Sequence, residues 1–319
     1  MIRVQDLRAG YPTGFSRTWR EVLTGVSFEV PRGSITGYLG VNGAGKTTTI
    51  KVLVGINRPS GGSVTIGDHP VGSDAAQRLI GYFPEAPFFY DGLNGLELLE
   101  FFARLSGVPQ AERRKKAEAV LEEVGLGGSA EVPVKGYSKG MRQRLGLAQA
   151  LVHDPELLVL DEPLDGLDPM GRLHLRGLIA RQRERGRTVF FSSHVLSDVE
   201  AVSDQLVVLD GGQVAYEGSV EGLGGSDASV DVQFAAPAEA RDELAKVAGV
   251  ELGSRGDLCE ALCPNAEVAD RLVAAVIDKG GRIASLVPRR ANLEEVFLER
   301  FGAGKGAGTS TPKAAGKES

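Results

Sequence analysis

The sequence predicts an α/β fold built on a parallel sheet, followed by a small α+β domain. Three observations carry that prediction. Consecutive apolar runs at Leu157–Leu160 and Thr188–Phe191 read as strands buried on both faces, as in a parallel sheet covered by helices. A third β-prone run, 34–39, passes straight into a glycine-rich turn and then into a helical pattern at 48–54. All three runs end in polar residues suited to chemistry, at the edge where open α/β sheets hold their ligands.

The glycine-rich turn is Gly40-Val41-Asn42-Gly43-Ala44-Gly45-Lys46-Thr47-Thr48, of the form G-x-x-x-x-G-K-[ST]. A glycine-rich turn alone has plainer explanations, but strand, loop and helix in this order form a phosphate-binding loop. Backbone N–H groups from Asn42 to Thr48 wrap an anion, and the helix N-terminus adds its positive end. Lys46 is expected to reach the terminal phosphates, and the Thr47 hydroxyl to hold Mg²⁺.

Composition narrows the field. With 319 residues, 42% hydrophobic and 24% charged, the chain can bury a full core in one large and one small domain. A net charge of −6 argues against a basic nucleic-acid face, so no nucleic-acid partner is expected. No run of roughly 18 apolar residues marks a membrane span, and the N-terminus lacks a signal-peptide layout. Cys259 and Cys263 are spaced C-x₃-C with no histidine nearby, which reads as ordinary partly buried thiols in a reducing compartment. A cytoplasmic protein is expected.

Taken in order, the chain begins with β-prone runs at 2–4 and 26–30. The turn Pro31-Arg32-Gly33-Ser34 predicts a hairpin feeding the phosphate loop. Tyr11 follows the first run, where its ring is placed to stack on a nucleotide base. Phe15 and Trp19, in the same polar stretch, compete for that role. A turn at 59–63 leads to a strand at 64–66, and another strand spans 80–83. The block near 93–150 is helical, with Leu96, Leu99, Phe102 and Leu105 at spacing three and Ala117, Val120, Leu121 and Val124 at three or four. The run 113–116 of four cations is a solvated helix face.

Ser138 is a good N-cap for the helix carrying Leu145, Leu147 and Leu151, and Gly140 keeps its first turn bare. That is a capped helix on the plainer reading and a second anion site on the sharper one. Asp161 and Glu162 close the run Leu157–Leu160, placed for Mg²⁺ and for activating an attacking water respectively. The tight loop 165–169 leads to a helix with Leu173, Leu175, Leu178 and Ile179. His194 ends the strand at 188–191, and 206–217 reads as a closing hairpin.

These motifs, in this order, resemble those of the ATP-binding cassette (ABC) ATPases over roughly residues 1–222. Gly40–Thr47 matches the Walker A loop, and Leu157–Glu162 the Walker B strand with its catalytic glutamate. Tyr137–Met141 matches the signature motif, Asp165–Asp168 the D-loop, and His194 the switch histidine. The resemblance implies a P-loop NTPase: a RecA-like core, an antiparallel β subdomain, and an inserted helical subdomain at about 86–150. ATP and Mg²⁺ are the implied cofactors. Lys46, Glu162 and His194 are the expected catalytic groups, and Thr47, Asp161 and Glu85 the expected metal ligands. Ser138 and Gly140 are expected to cover the nucleotide of a second cassette, in a homodimer or with a paralogous partner. Three positions depart from the common pattern. Lys139 and Met141 replace a glycine and a glutamine of the signature, and Glu85 stands where a glutamine is usual, adding negative charge beside the phosphates.

After 223 the composition changes through a Gly/Ser linker. The strand and helix patterns that follow suit a small ferredoxin-like accessory domain at 223–302. Residues 292–298 form an amphipathic helix resembling the closing segment of ATPase subunits of ABC-2-type exporters, and 303–319 reads as a disordered tail. The resemblance implies an ATPase that docks, peripherally and on the cytoplasmic face, on a separate integral-membrane permease. The apolar run Pro87-Phe88-Phe89-Tyr90 is a candidate docking surface. A soluble cassette acting on ribosomes is the alternative, and a coiled-coil DNA-repair ATPase a poorer one, because no sustained heptads occur between the motifs.

Overall fold

The computed structural model describes residues 1–13, 18–223, 229–240, 250–255 and 258–289, together with positions 243, 244 and 246. The chain divides into two compact units, Met1–Val220 and Glu221–Ser319. In the first, β1 (Ile2–Thr13) and β2 (Thr18–Val30) make a long antiparallel hairpin, to which β4 (Gly61–Ile66) and the two-residue β5 (His69–Pro70) are added in the order β2-β1-β4-β5. Tyr11 therefore lies within a strand, and β4 begins inside the expected 59–63 turn.

The central sheet contains β3 (Ile35–Leu39), β6 (Ile80–Phe83), β7 (Leu157–Leu160), β8 (Thr188–Ser193), β9 (Gln205–Asp210) and β10 (Gln213–Ser219), in the order β10-β9-β3-β8-β7-β6. Five are parallel and β10 runs antiparallel beside β9, as the closing hairpin. The expected hairpin between 26–30 and the strand entering the loop does not form. Its turn exists, with Gly33 at φ +71°, but β2 and β3 part into different sheets. The reason lies in burial. Every residue of β3 is buried, so it needs neighbours on both edges and cover on both faces, whereas β2 alternates between buried and exposed over its last five residues, 26–30. Phe28 from β2 meets two rings of the central sheet, Tyr38 tilted at a centroid distance of 5.5 Å and Phe190 stacked at 5.6 Å, and so joins the two layers.

Helices α1 (Lys46–Leu53) and α2 (Asp74–Arg78) precede a helical block of α3 (Gly95–Leu105), α4 (Gln110–Glu123) and α5 (Lys139–Leu151). Asn94 and Glu97 form a reciprocal capping box on α3. Its buried stripe is Leu96, Leu99 and Ala103, with Leu98 beside it, and Leu105 is exposed. A spacing of three drifts off a 3.6-residue period within two turns, so Leu105 turns outward at the end of the helix. In the same way, Leu173 is exposed near the start of α6 (Pro169–Glu184). The carboxylate of Asp198, buried on α7 (Leu196–Glu200), takes Arg176 and, at 3.6 Å, Arg172 of α6. This ties the helix after the 165–168 loop to the helix after His194.

In the second unit, after the short α8 (Val220–Leu223), four antiparallel strands run in the order β12 (Leu252–Arg255), β13 (Leu258–Cys263), β11 (Ser229–Ala235), β14 (Arg282–Arg289), with α9 (Ala266–Asp278) packed on the sheet. Cys259 and Cys263 point into this core from one face of β13 as free, buried thiols. Among the described residues no group of His, Cys, Asp and Glu forms a metal cluster. Of the expected helix at 238–248, Ala238–Ala240 form a 3-10 turn, positions 243, 244 and 246 are helical, and the other positions lie outside the described residues; the helix at 292–298 and the tail at 303–319 lie wholly outside them.

The helical block meets the central sheet through two glycines. A Cβ on Gly146 of α5 would lie 2.5 Å from the ring of Phe83, and one on Gly81 of β6 would lie 2.1 Å from the Ala150 carbonyl oxygen. Gly146→Val should therefore lower stability by about 1–3 kcal/mol through overpacking. Denaturant unfolding reads this directly; an unchanged midpoint would mean that Phe83 can move aside.

Candidate functional site

Four neighbouring parallel strands deliver their carboxyl ends to one edge of the sheet. β3 runs into the phosphate loop, β8 into His194, β7 into Asp161 and Glu162, and β6 through Pro84 to Glu85. The loop needs its glycines: Gly43 and Gly45 have φ of +83° and +115°, and a Cβ on Gly40 would meet the Leu209 carbonyl oxygen at 2.6 Å. Asn42 and Gly43 are exposed at the loop tip, while Ala44, Gly45, Lys46 and Thr48 are buried.

Lys46 Nζ donates to the Gly40 carbonyl at 2.7 Å and lies 3.2 Å from Glu162 Oε1, with both side chains almost fully buried. The other oxygen, Glu162 Oε2, is 3.0 Å from His194 Nδ1. Lys46, Glu162 and His194, brought from three strand ends, are thus joined through one carboxylate. Glu162 has φ +46°, a conformation that costs a non-glycine residue on the order of 1–3 kcal/mol. Its N–H bond to Ser192 Oγ at 2.9 Å helps hold that turn, and Pro163 follows directly.

Asp161 accepts from Ser192 Oγ at 2.8 Å and, weakly, from Thr47 Oγ1 at 3.5 Å. Burial raises its pKa above the usual carboxylate range, offset by the Ser192 bond, with Glu85 adding repulsion. Burial also pushes the Tyr82 phenol up to about 12, assisted by the charges of Asp161 and Glu85. A buried carboxylate facing a hydroxyl and a second carboxylate is a hard-oxygen set that fits Mg²⁺. Glu85 is exposed on the cleft wall.

A cleft of about 500 Å³ lies over the loop, lined by Tyr11, Asn42, Gly43, Gly45, Lys46, Thr47, Thr48, Glu85 and Glu162 from the sequence reading. The Tyr11 hydroxyl donates to Thr48 Oγ1 at 2.9 Å, anchoring the ring to the first turn of α1. Trp19 pairs with Pro12, so strand alternation puts it on the face opposite Tyr11; Phe15 lies outside the described residues. Ser138 caps α5 by accepting from Met141 N at 3.2 Å. It stands outside the cleft, as does Gly140, which lines a separate cavity of about 190 Å³ with Arg144 and Leu167. Sequence reasoning missed Ser192, whose hydroxyl serves both strand-end acids, and Thr13, Arg20 and Val22, which complete the cleft. The polarity of Ser192 at the end of an apolar strand was the available signal for the first. The others sit on a hairpin that reads as a loop.

The ABC transporter family model matches residues 23–165. An ABC transporter ATP-binding protein of Nostoc sp. is 39% identical over 94% of this chain and 90% of its own length. This chain belongs to the ABC transporter ATP-binding proteins. Its relatives include the linearmycin resistance ATP-binding protein LnrL of Bacillus subtilis, 31% identical over 95% of this chain and 98% of that one. The daunorubicin resistance ATP-binding protein DrrA3 of Streptomyces coeruleorubidus is 34% identical over 89% and 92%. Among solved structures, an ATP-binding subunit of an ABC transporter superposes with a TM-score of 0.62 at 31% identity, covering 70% of this chain and 91% of the other. The cassette is thus the P-loop NTPase fold that the motif order implied.

The raised pKa of Asp161 gives a signed test. The native state holds this proton more tightly than the unfolded state, so ionising Asp161 costs folding stability as pH rises through its raised range. Without nucleotide or metal, Asp161→Asn should therefore melt higher than the parent, with a larger gain at pH 7.5 than near pH 4. A gain that shrinks as pH rises would contradict this.

Proposed function

We propose that this chain is the ATP-hydrolysing subunit of an ABC-2-type exporter, working as a head-to-tail pair on the cytoplasmic face of the membrane beneath a separate integral-membrane permease. The observation that carries the reading is the Lys46–Glu162–His194 linkage above the phosphate loop. Lys46 pairs with Glu162 across the cleft. An arriving triphosphate competes for the same ammonium, so binding transfers Lys46 to the β- and γ-phosphates and leaves Glu162 free as a base.

Glu162 then takes a proton from water as its oxygen bonds to the γ-phosphorus. The bond from that phosphorus to the bridging oxygen breaks, and ADP and phosphate result. His194 steadies the glutamate through its second oxygen, and Ser192 fixes the backbone that carries it. Thr47 and Asp161, with Glu85 from the neighbouring strand end, would hold Mg²⁺. When bound, the ion draws charge from the phosphate oxygens as the bridge breaks.

Pairing follows from placement. Ser138 and Gly140 lie outside their own cleft, so a second cassette, identical or paralogous, is needed to bring an α5 N-terminus to the γ-phosphate. The resistance proteins among the relatives favour export, and none of the relatives named above is a ribosomal ATPase. Among the described residues no helix is long and apolar enough to cross a membrane, so a transport role requires a partner. Phe88, 85% exposed, and Tyr90, with Phe101 set edge-on at 5.7 Å, offer that partner an aromatic shelf just beyond Glu85.

Glu162→Gln should slow ATP turnover by roughly 10²–10⁴ while retaining nucleotide. Tagged, expressed in its native host and solubilised with ATP and Mg²⁺, it should bring down a multi-span membrane protein in stoichiometric amount. Ribosomal proteins, or a wholly soluble pair, would overturn the exporter reading.

A further inference from the structure

Among the described residues that line the cleft, Arg20 is a cation that this chemistry leaves unused. Directly opposed residues of antiparallel strands share a face, and the register sets Tyr11 opposite Arg20 and Thr13 opposite Thr18. Tyr11, Thr13 and Arg20 line the cleft together with Val22, the extra residue where the register shifts between Ala9 and Gly10. Their positions along β2 order the cleft from end to end. Val22 marks the phosphate end, because a Cβ on Gly45 would lie 3.4 Å from Val22 Cγ1. Arg20 is two residues further out, about 6–7 Å along the strand. Tyr11, beside it, is tied by its hydroxyl to Thr48, next to the phosphate loop rather than over it.

Arg20 therefore stands at the nucleoside end, alongside the ring expected to stack on the base. It is exposed, and among the described residues it has no ion-pair partner. Its neighbour Glu21 is paired with Gly10 and alternates onto the other face. An arginine at a base edge has a chemical preference. Its planar fork donates two parallel hydrogen bonds to O6 and N7 of guanine, whereas adenine offers N7 beside an amino group that is itself a donor. We infer that Arg20 reads the base of the bound nucleotide, and that the site accepts guanine nucleotides as readily as adenine nucleotides.

The inference rests on the cleft being a nucleotide site, as proposed above. The test is displacement of a fluorescent adenine nucleotide by ATP or by GTP from the full chain, in the parent, Arg20→Met and Arg20→Lys. In the parent, Kd for GTP is expected within about threefold of that for ATP. Arg20→Met should weaken GTP by about tenfold or more and ATP by about threefold at most. Arg20→Lys, which keeps the charge and loses the fork, should behave like Arg20→Met. Equal weakening of both nucleotides would place Arg20 on the ribose or phosphates and overturn base reading, as would no change in either. A parent that binds ATP well but GTP more than tenfold worse would also overturn it. Failure of the parent to bind either nucleotide would instead overturn the cassette assignment of the cleft, and this inference with it.

Discussion

The structure depends on one buried ion pair. Lys46 and Glu162 face each other at 3.2 Å with almost no exposure, at the junction of two strands that are far apart in sequence. A buried pair is a weak source of stability, since desolvation offsets most of its attraction, but removing one partner strands the other at a cost of about 3–5 kcal/mol. Such an arrangement is poised for exchange: a ligand bearing its own negative charge replaces the carboxylate without leaving the ammonium unpaired. The pair explains how an otherwise unfavourable lysine can be buried. In the proposed function it would also keep Glu162 occupied until a phosphate takes over the ammonium.

Everything around the pair serves to place its two members. Parallel pairing brings β3, β8, β7 and β6 side by side, so their ends meet although the residues span 40 to 194. Ser192 then couples the acids by accepting from Glu162 N and donating to Asp161. The strained backbone at Glu162 turns its carboxylate back over the loop, while Asp161, one residue earlier, faces Thr47. Adjacent acids thereby acquire different tasks through backbone geometry and burial. The Asp198 bridges from α6 to α7 tie the segment after the 165–168 loop to the segment after His194. The surface expected to meet a second cassette is thus mechanically linked to the residue steadying the base.

Much of this was legible in the sequence because the informative features are local. A glycine loop between a strand and a helix, and an apolar run ending in two acids, need no knowledge of the rest of the fold. His194 was legible for the same reason, as a strand-end residue. What stayed hidden was set by pairing at a distance. Whether β2 joins β3 or β1 is decided by which sheet can cover an entirely buried strand, and the turn at 31–34 is compatible with both. The hairpin bearing Arg20 and Val22 reads as a loop because its polar residues serve a cleft rather than a core. Ser192 carries no motif of its own; its role comes only from lying beside β7. Leu105 and Leu173, both exposed, show that apolar spacing identifies a helix more securely than it identifies the helix's buried face.

The account stands most directly on the exchange at Lys46, and affinity for a non-hydrolysable ATP analogue, measured by calorimetry in the parent and in Glu162→Gln, tests it. Removing the competing carboxylate should leave Lys46 available, and the variant should bind the analogue several-fold more tightly, with the difference abolished when Lys46 is also replaced by Met. Equal or weaker binding by Glu162→Gln, or an unchanged difference without Lys46, would contradict the view that this ion pair controls access to the phosphate site.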